Sequence, residues 1–189
     1  MQAYGEAHPD AEKPAVRWLP FQLNPDIPES GMSRQDYIAM KFGPGGKGKY
    51  EQIAAIGRQV GLDMAFDKIQ VQPNTVNAHR LMHYAGEQGR QDAMAEALFR
   101  AYFVEGRNLT DLDALADVAA GAGFDRAVIA AYLASPADRE LVERSDTKLR
   151  AGGIQGVPFF IFNRKVGVSG AQEADVLVRA MAESLGGAD

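Results

Sequence analysis

The chain of 189 residues contains no cysteine, one tryptophan and three histidines. Without cysteine it forms no structural disulfide, and it carries no thiolate with which to attack a disulfide. It also has no apolar run approaching the ~20 residues of a membrane span. Its first residues lack the basic and apolar regions of a secretory signal peptide. These absences predict a protein without membrane segments, and they make the cytoplasm its expected location.

The sequence also lacks a strong excess of either charge, because 20 basic and 25 acidic residues leave a net charge of −5. The basic residues are scattered along the chain rather than clustered, which argues against a nucleic-acid partner. A hydrophobic fraction of 46% and a charged fraction of 24% are ordinary for a globular protein. The length therefore suits one domain with a sizeable core, or one domain with an insertion.

The most informative segment places a proline at the start of an apolar strand. Proline has no N–H for a sheet ladder, so it is confined to the first position of a strand, an edge or a bulge. Gly156 precedes Val157-Pro158, and aromatic and β-branched residues follow. This arrangement leaves the N–H and C=O of Val157 free to bind an incoming strand. We therefore expect a binding site at Gly156, Val157 and Pro158.

The residues after this proline predict a hairpin and a closing helix. We expect a buried strand over Phe159 to Phe162, a turn at 163–165, a second strand over Val166 to Ser169, and a helix from about Glu173 to Leu185.

This order of Val-Pro, strand, hairpin, strand, Gly-Ala-Gln and helix resembles the C-terminal half of a thioredoxin fold. More narrowly, the chain resembles the DsbA-like family with a helical insertion, the branch of FrnE-like oxidoreductases and 2-hydroxychromene-2-carboxylate isomerases. The match extends to three further segments, Ala15–Asp26, Pro73–Leu81 and Ala97–Asn108. The resemblance implies a cis Val157–Pro158 bond and a role for the Val157 backbone in pairing with a peptide or with glutathione.

The resemblance also implies the fold class and the domain organisation. We expect an α/β thioredoxin-like fold with a long all-helical insertion. The thioredoxin-like domain would comprise residues 1–32 and 151–189, with a strand at Val16 to Leu23, and the insertion domain residues 33–150.

One part of the family pattern is absent, and it is the part that carries the chemistry. The family begins with a strand, a Cys-x-x-Cys or a serine variant, and a helix whose N-terminus lowers the pKa of the nucleophile. Met1 to Pro9 would match only the tail of that helix. The resemblance therefore implies no catalytic residue in this chain and a dithiol upstream of Met1. Truncation of a longer protein is the preferred explanation, and loss of the redox strand in the lineage is the other.

Three functions follow from the resemblance. The first is a FrnE-like thiol–disulfide oxidoreductase without a cofactor, whose partner is a thiol or disulfide protein or peptide. The second is a glutathione-dependent isomerase similar to 2-hydroxychromene-2-carboxylate isomerase, in which a serine replaces the first cysteine. The third is a non-catalytic module that binds peptides in the cis-proline cleft. A homodimer is left open.

Helical periodicity and capping signals fill the block between the two predicted strand regions, where no further strand is expected. Capping boxes start helices at Ser33 and Thr110, Asn74 or Thr75 caps another, and Asp125 a fourth. A further helix is expected between the helix that starts at Ser33 and the one capped by Asn74 or Thr75. Its apolar stripe comprises Tyr50, Ile53, Ala54, Gly57 and Val60. Pro136 opens the last insertion helix, which should stop at Gly152-Gly153.

Asn74 and His79 lie in the segment that, by resemblance, starts a helix bordering the active site, and we expect both to contribute to substrate binding. An imidazole at position 79 could tune a thiolate, although a structural histidine is an equal alternative. His79 and His83 have the spacing of two metal ligands on one helix face, but the glutamate of a zinc hydrolase and a third ligand are lacking. We therefore expect no metal site.

The missing first strand of the thioredoxin sheet would lie between Val16–Leu23 and Phe159–Phe162. Unpaired buried backbone groups cost about 1–3 kcal/mol each, which a domain stable by about 5–15 kcal/mol cannot sustain repeatedly. We therefore expect an additional N-terminal segment, a strand from a second chain, or direct pairing of the two flanking strands. Direct pairing is the least favoured of the three.

Overall fold

The computed structural model describes residues 4–5, 13–43 and 46–186. The chain divides into two compact units. The hairpin unit comprises residues 1–23 and 146–189, and the helical unit comprises residues 24–145. The expected domain boundaries, at 32/33 and 150/151, lie several residues beyond these divisions and remain a prediction. Within the described ranges, no helix combines the length and the apolar character needed to cross a bilayer.

The helical unit begins with a two-residue strand that leads directly into a helix. The order in this unit is β1 Met32–Ser33, α1 Arg34–Phe42, α2 Lys47–Gln59, a 3-10 turn Phe66–Lys68, β2 Val71–Gln72, α3 Val76–Glu87, α4 Gln91–Phe99, a π-helical turn Arg100–Val104, α5 Leu112–Gly121 and α6 Arg126–Ala134. Helix α7, Arg139–Ala151, follows, and the division between the units falls within it.

The strands β1 and β2 pair antiparallel, with Met32 opposite Gln72 and Ser33 opposite Val71. The prediction of no strand in this block is therefore wrong. Two residues are too few for a periodic pattern, so the sequence carries no strand signal at this place. Gly31 permits the close approach, because its φ is 81° and an added Cβ would lie 3.0 Å from the carbonyl oxygen of Gln72.

The core of the helical unit lies among α3, α4, α5 and α6. Its fully buried members come from all four helices, with one to three from each, namely Leu81, Ala85, Met94, Leu115, Ala116, Ala119 and Ile129. Full burial of a Leu or Met side chain stabilises the fold by about 1.5–3 kcal/mol relative to exposure. The periodic apolar positions of the sequence therefore account for this core.

The capping predictions are confirmed at two helices and shifted at a third. The Ser33 hydroxyl accepts from the N–H of Asp36 at 3.3 Å, and the Asp125 carboxylate accepts from the N–H groups of residues 127 and 128. At α5 the cap is Asp111, whose carboxylate accepts from the N–H groups of residues 113 and 114. The Thr110 hydroxyl instead donates to Asn108 at 2.8 Å, so the predicted cap was one residue early.

Other predictions in this block need correction. Of the apolar stripe expected in this region, Ala54 and Gly57 are buried and Tyr50 is half-buried, whereas Ile53 is 43% and Val60 is 70% exposed. The last insertion helix begins at Arg139 rather than at Pro136.

The hairpin unit contains two paired strands and a helix, as the sequence predicts. β3 Phe159–Phe162 pairs antiparallel with β4 Val166–Ser169, and α8 Ala174–Leu185 packs against both strands. The prediction that β3 is buried is wrong, because none of its residues is buried and Ile161 is 45% exposed. Helix α8 covers a two-stranded hairpin, and a hairpin alone cannot enclose both faces of a strand.

The predicted strand at Val16 to Leu23 is also wrong, since residues 13–23 form no strand. The Gln22 N–H donates to the Asp146 carboxylate at 2.8 Å, and the Gln22 carbonyl accepts from the Arg150 guanidinium. Helix side chains thus bind both backbone groups of Gln22. Within residues 13–23, Phe21 and Gln22 are the buried positions, and Gln22 is held by charged partners rather than by sheet pairing.

Of the helix tail expected at Met1 to Pro9, Tyr4 and Gly5 are described and helical, and the rest lies outside the described residues. In the part of the chain that is described, β3 pairs with β4 and with no other strand. Direct pairing of the two flanking strands, the least favoured arrangement, is therefore not formed there. An added segment or a second chain stays a prediction.

Candidate functional site

The Val157–Pro158 peptide bond is cis in the structure, the geometry implied by the resemblance. Val157 is half exposed, and Gly156 beside it is partly buried. The Pro158 carbonyl accepts a hydrogen bond from the N–H of Gly170 at 2.9 Å. This bond places Pro158 opposite Gly170, in register with the ladder between β3 and β4.

The register determines which backbone groups of this segment face away from β4. In an antiparallel pair, every second residue directs its N–H and C=O toward the partner strand. Because the Pro158 carbonyl points to Gly170, Phe160 and Phe162 also point to β4. Phe159 and Ile161 therefore direct their N–H and C=O to the opposite edge. Val157 precedes the cis peptide bond and lies outside β3, and among the described residues its N–H and C=O make no backbone hydrogen bond.

The turn of the hairpin is fixed by two residues with positive φ. Asn163 and Arg164 have φ values of 50° and 61°, and the N–H of Lys165 donates to the Phe162 carbonyl at 2.9 Å. The Asn163 amide also donates to the Ser184 hydroxyl at 3.0 Å. The hairpin tip is thereby anchored to α8, which holds the segment at Val157 to one register.

Asn74 lies in the helical unit, where both ends of its side chain are engaged. Its amide nitrogen donates to the Ile27 carbonyl at 2.7 Å, and its amide oxygen accepts from the N–H of Val76 at 3.0 Å. The N-cap residue of α3 is Thr75, which makes no side-chain cap bond, and the Asn74 amide oxygen instead binds the first N–H of the helix. These two bonds use half of the hydrogen-bonding capacity of the Asn74 amide, and its contribution to substrate binding stays a prediction.

His79 is partly buried on α3, one turn after Asn74. His83 lies one turn further on, with its Nε2 atom 3.8 Å from a carboxylate oxygen of Asp138. Across residues 4–5, 13–43 and 46–186, no three histidine, aspartate or glutamate side chains converge as metal ligands do.

A cavity of about 520 Å³ opens in the helical unit, lined in part by Glu29, Asn77, Ser135 and Arg139. The Arg139 guanidinium lies 3.0 Å from the Glu29 carboxylate and 3.6 Å from that of Glu143. Its charge is thus already balanced by the protein. The cavity offers polar walls without an uncompensated charge.

Two tyrosines of the helical unit have pKa values above the ordinary range. Burial raises the pKa of Tyr102 from 10.0 to about 12. Burial, followed by a hydrogen bond to the Asp138 carboxylate, raises the pKa of Tyr132 further. Both side chains are therefore neutral hydrogen-bond donors at physiological pH. On the surface, the hydrogen bond from Arg126 lowers the pKa of Asp117.

The chain matches the model of the DSBA-like thioredoxin domain family over residues 2–182, and it belongs to that family. The uncharacterized protein YwbO of Bacillus subtilis (strain 168) is 26% identical over 175 residues, which are 89% of this chain and 81% of that protein. The crystal structure of a probable DsbA oxidoreductase from Streptomyces coelicolor is similar with a TM-score of 0.78 and 30% identity. That similarity covers 87% of this chain and 72% of the Streptomyces chain.

Membership in this family confirms the predicted fold class, a thioredoxin-like α/β fold with a helical insertion. The proline predicted a binding site in the Val157 segment. The two buried arginines of the helical unit, Arg34 and Arg80, were not predicted as site residues from the sequence.

Proposed function

We propose that this chain provides the substrate-binding part of a FrnE-like thiol–disulfide oxidoreductase. The observation that carries the proposal is the half-exposed Val157 beside the cis proline, whose N–H and C=O make no backbone hydrogen bond among the described residues. An extended peptide gains backbone hydrogen bonds at such a segment. The family of the chain supports disulfide-containing proteins or peptides as the partners.

The exchange reaction defines what this chain must receive from outside. A thiolate attacks one sulfur of the substrate disulfide, a new S–S bond forms as the old one breaks, and the other sulfur leaves as a thiolate. A second thiol then attacks the mixed disulfide, so two electrons pass from the dithiol to the substrate. The 189 residues contain no cysteine, so both thiols belong to cysteines outside them or to a thiol such as glutathione.

The other expected site residues have supporting roles in this proposal. Pro158 directs its carbonyl to β4 and leaves the Val157 peptide group for the substrate, and Gly156 gives the approaching chain room. Asn74 acts as a positioning residue through its bond to the Ile27 carbonyl. The contribution of His79 to substrate binding and the cytoplasmic location both stay predictions.

A non-catalytic peptide-binding module is the second candidate, and the absence of cysteine favours it. Both candidates use the same edge, so peptide binding alone does not separate them. Insulin reduction by the 189-residue chain tests a different point, the location of the thiols, because neither candidate places a thiol within these residues. We expect the verified 189-residue chain to give no turbidity beyond buffer, and appreciable turnover would overturn the assignment of the thiols to another molecule or segment.

The binding edge is tested by two substitutions at one position. Val157→Pro removes the N–H, and the loss of this backbone hydrogen bond should weaken binding of an extended peptide up to about tenfold. Val157→Thr keeps the backbone and should bind within about twofold of the wild type. Fluorescence anisotropy with a labelled, reduced insulin B-chain peptide measures both, and circular dichroism checks folding. Equal affinity of all three proteins would contradict pairing at Val157.

A further inference from the structure

Arg34 is a buried cation at the start of α1 in the helical unit. It is 8% exposed, and its guanidinium carbon lies 4.3 Å from the ring centre of Tyr50 and 5.4 Å from that of Tyr37. Among the ion pairs of the described residues, none involves Arg34. Burying an arginine without a carboxylate partner costs solvation free energy. The partners of its N–H donors therefore indicate whether the residue has a structural or a binding role.

One end of the guanidinium is held firmly. The Nη1 atom donates to the Gln72 side-chain oxygen, and the Tyr102 hydroxyl donates to the same oxygen at 3.2 Å. Gln72 lies on β2, which pairs with the β1 residues that immediately precede Arg34. The ring of Tyr50 lies against the guanidinium, which orients the plane of its donors.

Among the described residues, the other edge of the guanidinium has no hydrogen-bond partner. The Nε atom is buried and makes no hydrogen bond. The Nη2 atom also makes no hydrogen bond, yet it is not among the buried atoms without partners, so it reaches solvent. Nε and Nη2 form the side-on pair of parallel donors that binds a carboxylate with two hydrogen bonds.

The surrounding charges also favour an anion. Lys41 lies 5.4 Å from the Tyr37 ring centre and donates to the Tyr37 hydroxyl at 3.1 Å, and it too is absent from the ion pairs of the described ranges. Arg34 is the first residue of α1, and the N-terminus of a helix carries partial positive charge. Arg34 and Lys41 therefore both contact Tyr37, and the acidic residue of the first turn of α1 is Asp36.

We propose that the open edge of Arg34, between Nε and Nη2, binds the carboxylate of a small organic acid. A carboxylate is planar and matches the two parallel N–H groups, so it satisfies the buried Nε while its substituent extends past Nη2 toward solvent. Binding would offset the charge that the protein leaves uncompensated. This site is separate from the edge at Val157 and does not depend on the function proposed for it.

Acetate titration followed by NMR tests the site. The ring protons of Tyr50 report the ligand in every variant, and sodium chloride keeps the ionic strength constant. We expect a saturable shift with a dissociation constant on the order of 1 mM. Arg34→Lys keeps the charge but loses the paired donors, and should weaken acetate at least about tenfold. Arg144→Lys, at an exposed arginine paired with Glu140, is the matched control and should bind as the wild type.

Three results would overturn the proposal: no saturation beyond the effect of chloride, unchanged affinity in Arg34→Lys, or inorganic phosphate binding more tightly than acetate. If Arg34→Lys fails to fold, Arg34→Met is used in its place. Its apolar side chain can still pack against Tyr50, and it should show no saturable acetate shift.

Discussion

Arg34 and Arg80 are both buried in the helical unit, and neither belongs to an ion pair among the described residues. Arg80 is 1% exposed, and all the N–H donors of its side chain bond to protein acceptors. Its acceptors are four backbone carbonyls, those of Tyr132, Leu133, Ser135 and Ala137, and the side chain of Asn77, at 2.7–3.1 Å. Arg34 has one such acceptor, Gln72.

The difference separates a structural arginine from one available to a ligand. The carbonyls around Arg80 come from the end of α6, where helices leave carbonyls unpaired, and from the loop after it; that of Tyr132 also accepts from the N–H of Ser135. Arg80 therefore acts as a buried cap that ties α3 to the end of α6. Arg34 ties two short strands and a helix together by one end only, and its other edge stays open. Burial alone does not distinguish the two residues, whereas a count of satisfied donors does.

The largest expected effect is the loss of Arg80. Arg80→Met leaves the carbonyls at the end of α6 without their donor in a buried place, and breaking such a charged network costs about 3–5 kcal/mol. Urea unfolding of the wild type and the variant measures the difference in the free energy of unfolding. A loss below about 1 kcal/mol would mean that water replaces the guanidinium and that Arg80 is not a structural cap.

A smaller effect is expected at the tyrosine beside Arg80. The Tyr132 ring lies 4.9 Å from the Arg80 guanidinium carbon, and its hydroxyl lies 3.0 Å from the Asp138 carboxylate and 3.1 Å from the Arg80 carbonyl. Tyr132→Phe keeps the ring and removes the hydroxyl, at a cost of about 1–2 kcal/mol. The same urea experiment measures it, and a neutral result would show that the hydroxyl is not part of the Arg80 network.

Arg34→Met is expected to change the stability by less than about 1 kcal/mol in either direction. Removing a buried charge that lacks a partner relieves its desolvation cost, and an apolar side chain of similar length keeps the packing on Tyr50. Urea unfolding in chloride, without acetate, makes the comparison with Arg80→Met direct. Equal losses at the two positions would erase the distinction between them.

The smallest effect at neutral pH concerns Tyr102, which supports the bound end of Arg34 through Gln72. The folded-state pKa of about 12 lies above the ordinary tyrosine value of 10.0, so the neutral hydroxyl stabilises the fold fully below pH 10. That contribution falls as the pH rises from about 10 to about 12. Tyr102→Phe should flatten the free energy of unfolding in this window, as followed by urea unfolding at each pH. An unchanged slope would show that Tyr102 ionises as an exposed tyrosine does.

Local signals in the sequence predicted much of this fold. The Ser33 and Asp125 caps, the hairpin of β3 and β4, and the helix after it all depend on neighbours a few residues away. The segment at Val16 to Leu23 has strand-forming residues, but a strand exists only where another strand pairs with it, and here Asp146 and Arg150 bind its backbone. That pairing depends on residues more than a hundred positions away.

The two candidate sites, at Val157 and at Arg34, also differ in whether local sequence or tertiary contacts define them. The Val157 site was predictable because proline before an apolar strand is unusual wherever it occurs. Arg34 had a weaker signal, a cation in the first turn of a capped helix, where the helix dipole disfavours it. The sequence could not reveal that Gln72 and Tyr50 take one end and one face of the guanidinium, because these contacts arise from the tertiary fold.

The central claim is that an extended substrate pairs with the backbone N–H and C=O of Val157. Amide NMR of the labelled chain, titrated with the reduced insulin B-chain peptide, tests it most directly. The amide signal of Val157 should shift most, while those of Phe160 and Phe162, which point to β4, should shift little. An unmoved Val157 amide with saturable shifts elsewhere would contradict the account and place the peptide on another surface.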